Sequence, residues 1–96
     1  MSKRDKLRRK LRNNPKAATK QDVETLLGHF GYILDHVTGS HHVYLRETED
    51  ERHRIVIPFH GTKVKALYVK LVLTELDEIA PEKEETEGES DGEQDA

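Results

Sequence analysis

Apolar residues recur at helical spacing in one part of the chain. One buried helical face is indicated by residues at i, i+3, i+4 and i+7, namely Val23, Leu26, Leu27 and Phe30. Thr19 and Asp22, three residues apart, resemble a capping box at the start of this segment. Gly31 can adopt the left-handed conformation that ends a helix. The pattern therefore predicts a helix that follows Thr19 and ends near Gly31.

The next part of the chain is rich in aromatic and β-branched residues and predicts strands. Three such segments are present, at residues 32–37, 41–46 and 55–57. Thr38 and Gly39 mark a turn between the first two segments, which should pair as a hairpin. Pro58 ends the third segment or leaves it at an edge. We expect a three-stranded antiparallel meander.

Two further helices are predicted at the ends of the patterned region. Thr62 can cap a helix that runs to about Ile79. Its apolar stripe comprises Val64, Leu67, Tyr68, Leu71 and Leu76, broadened by Val69, Val72 and Leu73. Residues 3–12 can form a short basic helix with Leu7 and Leu11 as its only apolar contacts, and Asn13, Asn14 and Pro15 would end it.

The order of the central elements, helix then three strands then helix, predicts an α+β fold. It is the order of the double-stranded RNA-binding domain, α-β-β-β-α, in which two helices lie on one face of a three-stranded antiparallel sheet. We predict three regions: residues 1–18 as a basic N-terminal arm, residues 19–80 as the folded domain, and residues 81–96 as a disordered acidic tail.

Charge is distributed unevenly along the chain. Residues 1–12 carry seven basic residues and one acidic residue, whereas residues 75–96 carry eleven acidic residues and one basic residue. The tail has almost no apolar side chains to bury, which predicts disorder. The chain contains no cysteine and has no apolar run of the roughly 20 residues that cross a bilayer. We expect a soluble cytoplasmic protein with no disulfide, no thiolate zinc site and no membrane partner.

Two consecutive histidines follow the predicted hairpin turn. His41 and His42 come directly after Gly39 and Ser40 at the start of the second strand. Imidazole titrates near physiological pH and can serve as a general acid or base. Successive strand residues face opposite sides of a sheet, so only one of the two faces solvent in mid-sheet. Alternation slightly favours His42, but even the core face is open at a strand end, so His41 also stays a candidate.

Three segments together resemble the HicA toxin family: residues 26–32, 39–44 and 56–60. The resemblance covers about residues 20–79. It implies a toxin-like endoribonuclease of a type II toxin–antitoxin pair, which cleaves single-stranded or messenger RNA and is inhibited by a HicB-type antitoxin. It implies histidine acid/base catalysis with no metal and no cofactor, in which the ribose 2′-hydroxyl attacks the adjacent phosphate. By resemblance the catalytic histidine is His41, although some members use the position of His42.

Candidate RNA contacts are proposed from position alone. Lys63 and Lys65 lie near the start of the last predicted helix, where backbone amides also point outward, and could hold a phosphate. Gly39 and Ser40 lie beside the histidines, and Arg46 on the hairpin and the basic arm could add contacts to the RNA backbone. The six histidines show no usual zinc-ligand spacing, so no metal site is predicted.

The same fold allows a different class of function. A non-catalytic RNA-binding or protein-interaction module would keep the helices and the sheet without using a histidine for chemistry. We favour the ribonuclease and expect the free protein to be a monomer.

Overall fold

Two helices, three strands and a final helix follow one another along residues 2–81, the part of the chain that the computed structural model describes. The elements are, in chain order, α1 (Lys3–Asn13), α2 (Lys20–His29), β1 (Ile33–Thr38), β2 (His41–Glu47), β3 (Arg52–Pro58) and α3 (Ala66–Ile79). The predicted α+β fold with the order helix, three strands, helix is confirmed, and α1 precedes it. No helix in residues 2–81 combines the length and the apolar character needed to span a bilayer. The predicted acidic tail lies outside the described residues, except for Pro81.

The capping box at the start of α2 is confirmed. The Asp22 backbone N–H donates to the Thr19 hydroxyl oxygen at 3.1 Å, and the Thr19 backbone N–H donates to the Asp22 carboxylate at 3.1 Å. Both bonds use donors that a helix start would otherwise leave without partners. After α2 the chain turns at Gly31, whose φ of +88° lies in the left-handed region. These local signals determine where α2 begins and where the chain leaves it.

The three strands form an antiparallel sheet in the order β1-β2-β3. Tyr44 on β2 lies opposite Ile55 on β3, and both side chains are buried in one core cluster with the helices. His42 lies opposite Ile57 and therefore belongs to this same covered face. His41, one residue earlier, belongs to the other face of the sheet. The two histidines do face opposite sides of the sheet, but the slight preference for His42 as the solvent-facing one is wrong, because His42 shares the core face with Ile57 and His41 is the exposed residue.

Helix α1 packs against the rest of the described chain through a buried leucine and through arginine side chains. Leu11 is only 1% exposed and belongs to the same core cluster as α2 and α3. Arg8 is buried and donates to the Asp77 carboxylate at 2.8 Å, and Arg12 donates to the same oxygen at 2.6 Å. The Arg8 guanidinium also lies 5.1 Å from the centroid of the Phe30 ring. The basic segment is therefore a helix that contributes to the core.

The ion pairs between α1 and α3 affect the Asp77 carboxyl. Partial burial raises the pKa of Asp77, but the hydrogen bonds from Arg12 and Arg8 lower it more, so the pKa lies below its ordinary value. A carboxyl with a lowered pKa in the folded state stabilises that state above its unfolded pKa. The stabilisation is lost as the pH falls through the lower, folded-state pKa. Acid therefore weakens the attachment of α1 to α3.

The last helix differs from its prediction at its start and on one face. α3 begins at Ala66 with Lys65 as its N-cap, not at Thr62. The reason is tertiary: the Thr62 carbonyl oxygen accepts a hydrogen bond from the Lys20 backbone N–H at 2.7 Å, which holds this segment against the start of α2. Leu67 and Leu71, predicted to be core residues, are 69% and 45% exposed. The buried face of α3 is formed by Leu76 of the predicted stripe and by the three residues predicted to broaden it, Val69, Val72 and Leu73.

Candidate functional site

A cavity of about 410 Å³ lies at the end of the sheet where β2 begins and β3 ends. Its polar lining comes from three segments and consists of Ser40, His41, His60, Lys63, Lys65 and Tyr68. Pro58 and Val64 supply the apolar part. None of these eight lining residues is acidic, whereas two are lysines and two are histidines. The composition suits an anionic ligand with a group that undergoes proton transfer.

His41 is positioned by the hairpin turn and by pairing with β3. Gly39 in the turn has a φ of +61°, a conformation that glycine adopts without strain. His41 is the first residue of β2, and its Cα is paired with that of Pro58 at the end of β3. The side chain is exposed and lines the cavity. A rigid strand end thus presents an imidazole to a solvent-filled space.

His42 has a different environment. Its ring lies edge-on to the Phe59 ring, with 4.8 Å between the ring centroids, and the residue is half-buried. Its Nδ1 lies 3.2 Å from the Ser40 carbonyl oxygen. Because a carbonyl oxygen only accepts hydrogen bonds, Nδ1 must carry the proton and donate it. His42 is not part of the cavity lining and packs at the edge of the core.

The two candidate lysines reach the cavity through the segment that joins β3 to α3. Lys63 forms isolated β-bridges with Thr19, the N-cap of α2, and with His60. Lys65 is the N-cap of α3, so the positive end of that helix dipole lies beside the cavity. Both lysines line the cavity together with His41 and Ser40. The structure therefore brings together four candidate residues from two segments that are far apart in the sequence.

Arg46 is at the opposite end of β2 from the cavity. Its Nε donates to the Phe30 carbonyl oxygen at 2.9 Å, just beyond the end of α2. Arg46 lies five positions after His41, which is about 17 Å along an extended strand. Arg46 thus contacts the last turn of α2, and the structure does not bring it to the other candidates.

The basic helix α1 also lies away from the cavity. Arg8 and Arg12 both bind Asp77 near the end of α3. Asp77 is twelve residues beyond Lys65, which is about 18 Å along the axis of a helix. These two arginines are used in holding α1 to α3.

Sequence reasoning missed two polar residues of the cavity, His60 and Tyr68. His60 is not among the candidate residues proposed from the sequence, and Tyr68 was assigned to the apolar stripe of the last helix, although both line the cavity. The register of the hairpin formed by β2 and β3 would have identified His60 as a residue of the cavity. Once His41 is paired with Pro58, His60 falls on the same side of the sheet, two residues further along.

Tyr44 is the hydroxyl nearest to the histidines along β2, and it is held in a neutral form. Its hydroxyl donates to the Glu24 carboxylate at 2.7 Å. Burial, followed by this hydrogen bond and the Glu24 charge, raises the pKa of Tyr44 well above its ordinary value. The phenol is therefore less acidic than a free tyrosine side chain, and its hydroxyl is used in the bond to Glu24 on α2.

Metal ligands are not gathered in the described part of the chain. Within residues 2–81, no three histidine, aspartate or glutamate side chains lie close enough to hold a metal ion together. The groups that the cavity does gather are imidazoles and ammonium groups. Such groups bind and polarise a phosphate by charge and hydrogen bonding, and they transfer protons.

Comparison with known proteins agrees with this geometry. The family model for the HicA toxin of bacterial toxin–antitoxin systems matches residues 21–77, which include α2 except its first residue, the whole sheet and most of α3. No curated protein and no solved structure matches the chain. The family match covers more than half of the chain and includes every residue that lines the cavity. The chain therefore belongs to the HicA toxin family of bacterial toxin–antitoxin systems.

Proposed function

We propose that this protein is a toxin that cleaves messenger RNA as a metal-independent endoribonuclease. The observation that carries the proposal is the cavity at the end of the sheet, where His41 lies with Lys63 and Lys65 and with no carboxylate among the lining residues. A phosphodiester is anionic, and its cleavage through the ribose 2′-hydroxyl requires proton transfer. Membership in a toxin family supports the biological setting.

The reaction proceeds by attack of the ribose 2′-oxygen on the adjacent phosphorus. A bond forms between that oxygen and phosphorus, the bond to the 5′-oxygen breaks, and the products are a 2′,3′-cyclic phosphate and a free 5′-hydroxyl. His41 transfers one of the two protons that this exchange requires. Lys63 and Lys65 bind the non-bridging phosphate oxygens, whose negative charge increases in the transition state.

The remaining candidate residues support this arrangement in different ways. Gly39 allows the tight turn. The Ser40 carbonyl oxygen accepts a hydrogen bond from the Phe59 backbone N–H at 2.9 Å, which joins the turn to the end of β3. His42 is proposed to support the site by packing on Phe59 and not by proton transfer. Arg46 is proposed to hold α2 against the sheet through the Phe30 carbonyl oxygen. RNA binding therefore depends mainly on the lysines of the cavity.

A toxin of this family acts with an antitoxin, and we propose a HicB-type protein as that partner. The toxin would act in the cytoplasm, where messenger RNA is present, and would be a monomer when free. Antitoxin binding would have to deny RNA access to the cavity that contains His41. A neighbouring gene that restores growth when expressed together with this chain would identify the partner.

The proposed activity is tested with the purified chain and a labelled RNA in the presence of EDTA. We expect cleavage to continue in the chelator and to leave 2′,3′-cyclic phosphate ends, because the nucleophile is the ribose hydroxyl and not a metal-bound water. A DNA strand of the same sequence should stay intact because it lacks that hydroxyl. Cleavage that stops in EDTA, or that also degrades the DNA strand, would overturn the proposed reaction.

The lysines are tested by RNA binding, separately from cleavage. We expect Lys63→Ala and Lys65→Ala each to weaken binding of an uncleavable 2′-O-methyl RNA by roughly tenfold at low salt. The slope of log affinity against log salt should decrease by about 0.7 for each lysine that binds a phosphate. Lys70→Ala is the matched control, since Lys70 is exposed on α3 and does not line the cavity. If all three substitutions weakened RNA binding equally, the cavity would not be the RNA-binding site.

A further inference from the structure

His60 lines the same cavity as His41. Both side chains are exposed, one at the start of β2 and the other just beyond the end of β3. His36, His42 and His53 each have a hydrogen-bond partner, whereas the His41 and His60 side chains have none among residues 2–81. The cavity therefore contains two imidazoles whose ring nitrogens are available to a ligand.

Strand register brings the two imidazoles to one side of the sheet. His41 is paired with Pro58, and the Phe59 backbone N–H still donates to the Ser40 carbonyl oxygen at 2.9 Å, so the ladder extends past the end of β3. His60 then lies diagonally across from His41. Diagonal neighbours on one sheet face are roughly 7–8 Å apart, which leaves room for a phosphate between two imidazole rings.

The segment that carries His60 is held in place by backbone contacts. His60 pairs with Lys63 in an isolated β-bridge across a turn in which Gly61 has a φ of +76°. Lys63 is in turn bridged to Thr19, and the Lys20 backbone N–H donates to the Thr62 carbonyl oxygen at 2.7 Å. A proton-transfer group must be held at a defined distance from its substrate, and these contacts meet that need.

We propose that His60 is the second proton-transfer residue of the site and acts as a pair with His41. Cleavage through the 2′-hydroxyl moves two protons: one leaves the attacking 2′-oxygen, and one is delivered to the departing 5′-oxygen. One imidazole starts neutral and accepts the first proton, and the other starts protonated and donates the second. The charge of the pair is conserved in the step, and no other reactant is required. This inference rests on the ribonuclease function proposed above.

The pair makes a specific prediction about the pH dependence of cleavage. A site that needs one neutral and one protonated imidazole has a bell-shaped dependence of the cleavage rate on pH. Removing the base abolishes the acidic limb, and removing the acid abolishes the basic limb. His41→Asn and His60→Asn should therefore each lose a different limb, and each should reduce the rate by about 10² or more at the optimum.

A modified substrate separates the two roles. An RNA with sulfur in place of the bridging 5′-oxygen has a thiolate leaving group, which departs without being protonated. We expect this substrate to restore cleavage to one of the two variants, the one that lacks the acid, and to leave the other impaired. Rates are measured under single-turnover conditions with saturating protein, so that altered RNA affinity does not enter the comparison.

His29→Asn is the matched control. His29 is exposed and lies at the end of α2, about 15 Å along the helix from the Thr19 end that contacts Lys63. It should keep both limbs of the pH profile and the parental rate on both substrates. Thermal unfolding of each variant verifies the fold, and His60→Gln serves as a second variant if His60→Asn unfolds.

The possible failures are distinguishable. If the parental chain cleaves neither RNA, the proposed ribonuclease function fails, and the role of His60 fails with it. If the parental chain cleaves RNA and the His60 variants match His29→Asn, only the role of His60 is overturned. A His60 variant could also cleave slowly, keep both limbs of the pH profile and be slowed equally on both substrates. That result would overturn the role of His60 as well, since it indicates an effect on position and not on proton transfer.

Discussion

His41→Ala will give a folded protein that no longer cleaves RNA. The side chain is exposed and lines the cavity, so its removal leaves the core intact and should change the free energy of unfolding by no more than about 0.5 kcal/mol. The loss of a proton-transfer group should reduce the cleavage rate by about 10² to 10⁴. The RNA affinity provided by Lys63 and Lys65 should persist. Cleavage kinetics, RNA binding and thermal unfolding of the variant test all three expectations, and its expression should no longer arrest growth.

His42→Ala is the informative comparison because it changes the neighbouring residue in the chain. His42 packs edge-on to Phe59 and donates to the Ser40 carbonyl oxygen, so its removal should destabilise the fold by about 1–2 kcal/mol. At temperatures where the variant is folded, most of the cleavage activity should remain. Loss of cleavage in a stable His42→Ala protein, with His41→Ala still active, would assign the chemistry to His42. Full activity in both variants would favour a non-catalytic RNA-binding or protein-interaction module.

Leu11→Ala should destabilise the whole domain, although Leu11 lies in the basic N-terminal segment. Its side chain is 1% exposed and packs in the core cluster with residues of α2 and α3. Replacing a fully buried leucine by alanine removes apolar contacts and leaves a cavity, which costs about 2–5 kcal/mol. We expect this decrease in the free energy of unfolding by urea denaturation, in one cooperative transition.

Leu67→Ala provides the matched control for that experiment. Leu67 is on α3 and is 69% exposed, so the same change of residue should alter the free energy of unfolding by less than about 0.5 kcal/mol. If the two leucine variants were equally stable, α1 would not contribute to the core, and residues 1–18 would be an arm separate from the domain. A large difference between them would make α1 part of the folding unit.

The secondary structure was predictable because each element has a local signal. The spacing of Val23, Leu26 and Leu27 and the Thr19 capping box predicted α2, and alternation around a glycine turn predicted the hairpin. The start of α3 was predicted wrongly, because the Thr62 carbonyl oxygen bonds to the Lys20 backbone, 42 residues earlier. Spacing included the buried residues of α3 but also the exposed Leu67 and Leu71, since apolar residues surround most of that helix and only packing selects the buried face.

The candidate site was predictable in part for a similar reason. The glycine turn and its two histidines mark a place for chemistry, and Lys63 and Lys65 do lie in the same cavity. Nothing local distinguishes Arg46, which contacts the end of α2, from a residue of the site. His60 joins the site only through the pairing of β2 with β3 and the bridge to Lys63.

By itself, the sequence determined the order of the helices and strands, the position of the turn before His41, and the segregation of basic and acidic residues. These properties depend on neighbours a few residues apart, where backbone geometry and side-chain spacing act directly. Only the tertiary structure decided that His42 faces the core, that His41 and His60 share a cavity, and that α1 is joined to α3 through Asp77. Those outcomes depend on strand register and on contacts between distant segments, which are selected by the packing of the whole core.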